Sequence, residues 1–304
     1  IDPAGVSVQA GDLDGDGHTD LFLVDAEGNV ELRRGGASTH DPGVWYRIRT
    51  HHVTRLAGND RFATAAAVSQ SVYPDPDEVD TVFIATGNGY ADALAGAAVA
   101  SRLGAPLLLV GTDFVPAATA DELARLSPTT IVILGGESVV SANVESTLQT
   151  YGSTSRLAGS NRYETAVAIS QYGFPENGSA DTVVIASGAG FADALAGGPA
   201  AAALNVTLLL TATTHLPEVV RDEIVRLGPS RIIVLGGVSV VSQAVLNELN
   251  ALAPATRIFG SDRYATSAAL SAMAYPGGAG KVYLATGLTF PDALAGGTAA
   301  ATQG

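Results

Sequence analysis

The 304-residue chain contains no cysteine, one lysine (Lys281), one methionine and one tryptophan. Without Cys it can form no disulfide, no thiolate metal site and no Cys nucleophile, although this leaves the compartment open. Basic residues are scarce: 16 Lys plus Arg stand against 30 Asp plus Glu, a formal charge of −14. A duplex nucleic-acid partner is thereby disfavoured, because phosphate binding needs basic patches. No apolar run reaches about 18 residues without turn signals, so no membrane-crossing helix is expected. The opening Ile1-Asp2-Pro3-Ala4 has neither a basic region nor an initiator Met, so no signal peptide is expected and residue 1 should lie inside a longer or processed precursor. Catalytic signatures are missing as well. There is no Gly-x-Ser-x-Gly, no His-Glu-x-x-His and no Walker lysine, and five scattered His residues form no constellation.

What the chain does have is repetition. Ala85-Thr86-Gly87-Asn88-Gly89-Tyr90-Ala91-Asp92-Ala93-Leu94-Ala95-Gly96 returns 101 residues later as Ala186-Ser187-Gly188-Ala189-Gly190-Phe191-Ala192-Asp193-Ala194-Leu195-Ala196-Gly197, and again from Ala285 to Gly296. Each copy follows a β-branched apolar run (Thr81–Ile84, Thr182–Ile185, Val282–Leu284) and opens an Ala-rich run. This reads as strand, Gly-rich turn, helix, with the Asp complementing the positive helix N-terminus. Upstream of each copy lies an Arg loop: Arg55 to Thr64, Arg156 to Thr165, and Arg257 to Thr266. Downstream come the buried-type runs Pro106-Leu107-Leu108-Leu109-Val110 and Val206–Leu210, then helices opened by Pro116 and Pro217. Ile131–Gly136 and Ile232–Gly237 follow, each leading into a last helix. Alternating strands and helices predict α/β, Rossmann-like units with parallel sheets. The divisions expected are 1–50, 51–153, 154–255 and 256–304. The third copy stops at the equivalent of Gly104, so we expect continuation past Gly304, or a second chain supplying the missing half through self-association.

Residues 1–50 differ from the rest. Asp12, Asp14, Asp16 and Asp20 occupy loop positions 1, 3, 5 and 9, with the His18 backbone carbonyl at 7, a spacing that suits Ca²⁺. Leu23 stands where an EF-hand needs Glu. A hairpin of 20–24 with 30–33 follows. The segment resembles one FG-GAP/VCBS-type repeat, which implies a calcium-binding blade of an extracellular protein. The His51-His52 pair is read as linker.

The three-fold pattern over residues 55–304 resembles the type-2 cell-wall-binding repeat family. The resemblance rests on the Arg-x-x-Gly-x-x-Arg-[Phe/Tyr] opening, the Gly…Asp-Ala-Leu-Ala-Gly middle, the Pro-Leu-Leu strand and the Ile-Leu-Gly-Gly…Val-Ser element. It implies Rossmann-like units in a pseudo-trimer, and a secreted, cell-surface protein held noncovalently on an anionic glycopolymer of a Gram-positive envelope. It also ties anchoring to the Pro-Leu-Leu strand, here Pro106, Leu107, Leu108 and Leu109. The second copy departs, with Val206-Thr207 in place of Ala105-Pro106.

Two readings of the recurrent arginines stay open. Arg55, Arg61, Arg156, Arg162, Arg257 and Arg263 could hold phosphates or carboxylates near a three-fold centre. Alternatively Arg61, Arg162 and Arg263 pair with Asp92, Asp193 and Asp292 as salt bridges inside each unit. Tyr90, Phe191 and Phe290 read as core plugs, with sugar stacking as the alternative. No catalytic residue is assigned, and any catalytic domain, such as that of a wall hydrolase, would lie outside residues 1–304. An adhesive protein assembling through its repeats and a small-ligand enzyme using the Gly87 turn are the competing functions.

The calcium reading has a direct test. Calorimetry should find one Ca²⁺ bound in the ~10⁻⁶ to 10⁻³ M range usual for such loops. Chelation should lower amide protection over residues 20–34 and spare 81–110. No binding heat in that range contradicts the assignment.

Overall fold

The computed structural model describes residues 7–11, 20–24, 30–33, 45–48, 53–204 and 206–303, and the chain divides into two units, Ile1–Arg55 and Leu56–Gly304. In the first, β1 (Ser7–Gly11), β2 (Asp20–Val24), β3 (Val30–Arg33) and β4 (Trp45–Ile48) form one antiparallel sheet in that order. The expected hairpin is present as β2–β3, with Leu21 opposite Arg33 and Val24 opposite Val30. The calcium loop residues Asp12, Asp14, Asp16 and His18 and the His51-His52 pair lie outside the described residues. Asp20 opens β2.

The repeat region begins with a helix-starting device written into the Arg loops. In α1 (Arg61–Val72), the Asp60 side chain caps the backbone N–H groups of Phe62 and Ala63. In α5 (Arg162–Gly173) and α9 (Arg263–Ala274), Asn161 and Asp262 do the same. Such a cap satisfies orphan donors at a helix start. The Thr four residues on accepts from the loop glycine: Gly58 N to Thr64, Gly159 N to Thr165 and Gly260 N to Thr266. A Cβ on Gly58 would lie 2.3 Å from the Ala63 Cβ, so only glycine lets the loop close on the helix.

After α1 the first repeat runs β5 (Thr81–Thr86), α2 (Ala91–Arg102), β6 (Leu107–Val110), α3 (Ala117–Leu126), β7 (Thr130–Leu134), α4 (Ala142–Leu148) and β8 (Ser153–Leu157). The second repeat follows α5 with β9 (Thr182–Ser187), α6 (Ala192–Ala203), β10 (Thr207–Thr211), α7 (Glu218–Leu227), β11 (Arg231–Leu235), α8 (Gln243–Asn250) and β12 (Ala255–Ile258). The parallel sheets have orders β6-β5-β7-β8 and β10-β9-β11-β12. This is doubly wound topology, with its switch point between β5 and β7 and between β9 and β11. β8 and β12, which lie at the expected divisions 153/154 and 255/256, pair with β7 and β11. Each strand that opens a repeat in sequence therefore completes the sheet of the repeat before it.

Alternation along the strands divides the core. Phe83, Ala85, Leu107 and Leu109 join a core shared with the second and third repeats, whereas Val82, Ile84, Leu108 and Val110 face a private core under α3 and α4. In β9 and β10, Val184, Ala186, Leu208 and Leu210 face the shared core, and Val183, Ile185 and Leu209 the private one. At the shared core, α2, α6 and α10 (Pro291–Gln303) pack on one another. Around them α5 packs on α2, α9 on α6 and α1 on α10, so the ring of repeats closes. Ala and Gly make this approach possible: a Cβ on Gly198 of α6 would already touch Ala97 of α2 at 3.6 Å. Ser101 of α2 donates to the Thr298 carbonyl of α10 at 3.2 Å.

A buried acid fixes each outer layer. Glu122 of α3 is fully buried and accepts from Ser69 Oγ (2.6 Å), Gln70 Nε2 (3.0 Å) and Arg125, and Glu223 of α7 repeats this with Ser170, Gln171 and Arg226. The third repeat differs from expectation. Val282–Leu284 is not a strand, and Val282 and Leu284 are 72% and 95% exposed where Val82 and Ile84 are fully buried. Among the described residues no strand pairs with this segment as β6 and β7 pair with β5.

Candidate functional site

The strand-to-helix turns of the three repeats meet at one end of the central helices. Tyr90, Phe191 and Phe290, each directly before its helix, form a triangle with ring centroids 5.6, 5.8 and 5.9 Å apart. The rings meet tilted or edge to face, the favoured arrangement for aromatic pairs. They are half-buried and plug the end of the helix trio, as the sequence led us to expect. Three helix N-termini therefore converge there, and their partial positive charges with them.

The arginines that open α1, α5 and α9 lie at the same turns. Arg61 donates to the Gly87 carbonyl, Arg162 to that of Gly188, and Arg263 to that of Gly287 at 2.6 Å. Glycine is needed at each, since a Cβ on Gly87 would come within 2.7 Å of the Phe62 ring and 3.0 Å of Arg61 Cδ. Two of the guanidiniums also approach across a repeat boundary: Arg162 lies 5.8 Å from the Tyr90 ring and Arg263 5.9 Å from the Phe191 ring. NH1 of each is used on its turn, that of Arg162 also reaching the Tyr90 hydroxyl at 3.4 Å, and Arg61 and Arg162 are exposed, so the other donors of these forks are open to a ligand.

The expected ion pairs Arg61–Asp92, Arg162–Asp193 and Arg263–Asp292 are not formed. Each Arg is held by its own turn, while the Asp is directed at the Gly-Gly turn after the third strand. Gly135 has φ +96°, and a Cβ there would lie 2.4 Å from Asp92 Oδ2; Gly236, with φ +93°, stands in the same relation to Asp193 Oδ2. Burial raises the Asp92 pKa above the usual carboxylate range, and the charge of Arg162, from the next repeat, partly opposes this.

The other candidates separate. Arg55 is exposed. Arg156 donates to the Gly135 carbonyl (2.8 Å) and pairs with Glu145 (2.7 Å), which ties β8 to α4. Arg257 donates to Gly236 O (2.6 Å) and Ser242 O (3.4 Å) but has no carboxylate, and burial lowers its pKa from the ordinary value. Pro106, Leu107, Leu108 and Leu109 are all buried, the three leucines at 3%, 0% and 0% exposure. Their visible role is to fill the shared and private cores and to line the contact with Ala295 and Ala299 of α10. Among the described residues no group of three or more His, Asp or Glu is placed to hold a metal.

Asp92 gives a pH test with a fixed sign. A carboxyl whose folded pKa is raised holds more protons folded than unfolded, so stability falls as pH rises from the usual Asp range through the raised value. Asp92→Asn should remove that slope and leave the protein at least as stable at neutral pH. Urea midpoints measured from acid to neutral pH check this, and an undiminished slope contradicts it.

Comparison with known proteins places this geometry. The family model for cell wall binding domain 2 (CWB2) matches residues 55–145, 156–246 and 257–304. N-acetylmuramoyl-L-alanine amidase LytC of Bacillus subtilis (strain 168) is 33% identical over 257 residues, 84% of this chain and 50% of the relative. The amidase enhancer of the same organism is 31% identical over 265 residues, 86% of this chain and 36% of its own length. The chain thus spans half the length, or less, of these curated relatives. Among solved structures, Cwp6 from Clostridium difficile superposes with TM-score 0.75 at 22% identity, over 98% of this chain and 50% of that one. Cwp8 from Clostridium difficile gives 0.74 at 24%, over 98% and 55%. These two likenesses are of fold.

Proposed function

The chain belongs to the cell wall binding domain 2 family, and from that premise we propose that it is a non-catalytic anchoring module which holds a secreted protein on an anionic glycopolymer of a Gram-positive cell wall. The observation that carries the proposal is the end of the helix trio, where Arg61, Arg162 and Arg263 surround three converging helix N-termini. In a chain of net charge −14 this local concentration of cationic donors stands out. Guanidinium forks suit bidentate contact with phosphate or carboxylate, and backbone N–H groups at helix starts add to it. Repetition contributes too. A polymer that presents an anionic group on every unit can engage several such sites at once, so weak single contacts combine into tight attachment.

The relatives supply a second layer. Two of them are named for an amidase and for its enhancer, and the matched region is about half of either protein or less. We take the repeats as the part that brings a wall-active region to its substrate, with any catalytic domain outside residues 1–304. The aromatic triangle serves the plug rather than sugar stacking, because its rings face one another.

A pull-down with purified, deproteinated cell wall tests the reading. Replacing Arg61, Arg162 and Arg263 together by Gln should reduce the bound fraction by about tenfold or more, since each lost charge-assisted contact is worth about 1.5–3 kcal/mol. Melting should change little, as each Arg is tied by one hydrogen bond to a turn carbonyl and, at Arg162, a further long one to the Tyr90 hydroxyl. Undiminished binding by the folded triple variant would refute the assignment of this face.

A further inference from the structure

The two complete repeats differ at one outer corner. In the first, Arg156 of β8 is fully engaged: Nε and NH2 both donate to Glu145 Oε2, at 3.2 and 2.7 Å, while NH1 holds the Gly135 carbonyl. In the second, Arg257 of β12 keeps the carbonyl contact, to Gly236 at 2.6 Å, yet the position of Glu145 is Leu246. Its NH2 reaches only the Ser242 carbonyl, at 3.4 Å, its Nε has no partner among the described residues, and no carboxylate there reaches it. Two more positions at this corner change in the same sense. Glu137 becomes Val238, 64% exposed, and Ala158 becomes Phe259, 58% exposed and leaning over Gly237. Leu246 is itself only partly buried.

We infer that this corner of the second repeat is a docking site for a protein segment that presents an Asp or Glu carboxylate beside an apolar side chain. The first repeat supplies the template, because there an internal carboxylate occupies the same guanidinium edge. In the second repeat the acid is removed and its surroundings are made apolar, leaving a half-buried cation with an open edge. Burying a guanidinium with carbonyl partners but no counter-charge is costly, and an incoming carboxylate relieves that cost. The partner's apolar side chain covers Val238 and Phe259, while its carboxylate takes the edge that Glu145 fills in the first repeat. A carbohydrate acid would use the cation but would gain little from Val238 and Leu246, so a peptide fits better. The site is on the edge strand of its sheet, uses none of Arg61, Arg162 and Arg263, and does not depend on the polymer reading.

The test uses the whole 304-residue chain and two probes, acetyl-Leu-Glu-Leu-amide and acetyl-Leu-Gln-Leu-amide, followed by amide NMR titration. The Glu peptide should shift the signals of Gly237, Val238 and Phe259 and bind about tenfold tighter than the Gln peptide, the worth of one charge-assisted bond. Leu246→Glu, which restores the acid of the first repeat, should abolish the difference and raise the melting temperature. Phe259→Ala, which matches Ala158, should weaken the Glu peptide several-fold with melting unchanged. Equal binding of the two peptides, or full binding by either variant, would overturn the inference. So would dimerisation of the chain that Leu246→Glu abolishes, since that would put a second copy on the site.

Discussion

Close packing of three Ala- and Gly-rich helices is the constraint on which the rest depends. α2, α6 and α10 share one core, and their contacting residues are small enough for the backbones to approach. With large side chains there, the repeats could not meet around one centre. The strand pattern follows from it. Each sheet is covered on one face by the central helices and on the other by its own outer pair, so both faces must be apolar. That is why β5, β6, β9 and β10 read as continuous runs of Val, Ile, Leu and Phe rather than as alternating strands.

The same packing creates the proposed binding face. Because the central helices start from equivalent turns, their N-termini arrive together, and the aromatic residue before each helix closes the end. The arginine that opens the preceding helix is then fixed on a turn carbonyl with most of its donors facing outward. Asp92 is tucked against the Gly135 turn, where burial disfavours its charge and the Arg162 guanidinium partly opposes this, and it makes no direct ion pair with the arginines. Glycine at both turns, Gly87 and Gly135, is what keeps these groups apart.

Much of this was legible in the repeats. Strand, turn and helix followed from periodicity and Gly placement, whereas the capping roles of Asp60, Asn161 and Asp262 emerged only from the structure. What escaped depended on contacts between segments far apart in the chain. Pairing Arg61 with Asp92 was a reasonable inference from joint recurrence, but recurrence does not say which neighbour each group meets, and both meet glycine turns instead. The buried Glu122 and Glu223 looked like ordinary helix-surface acids, although Ser69 and Ser170 with following Gln residues gave a readable signal of a buried acceptor. Pro106–Leu109 carried an anchoring expectation from family resemblance, whereas a four-residue apolar run in a central sheet is a core element. At β8 and β12 the sequence repeat begins with a strand that pairs into the preceding sheet, a contact periodicity does not reveal. Val282–Leu284 has the composition of a strand, yet among the described residues it joins no sheet. The acidic loop from Asp12 to Asp20 stands on its spacing alone.

The central claim is that the three repeats fold around a single shared helix core that sets up the proposed face. Native-state hydrogen exchange on the whole chain tests it most directly, because cooperative units open together. The slowest amides of α2, α6 and α10 should exchange with one common opening free energy, and Phe290→Ala should lower protection in α2 and α6 as well as in α10. Independent exchange, with α10 opening far more readily than α2 and α6 and the substitution felt only in α10, would contradict the shared core.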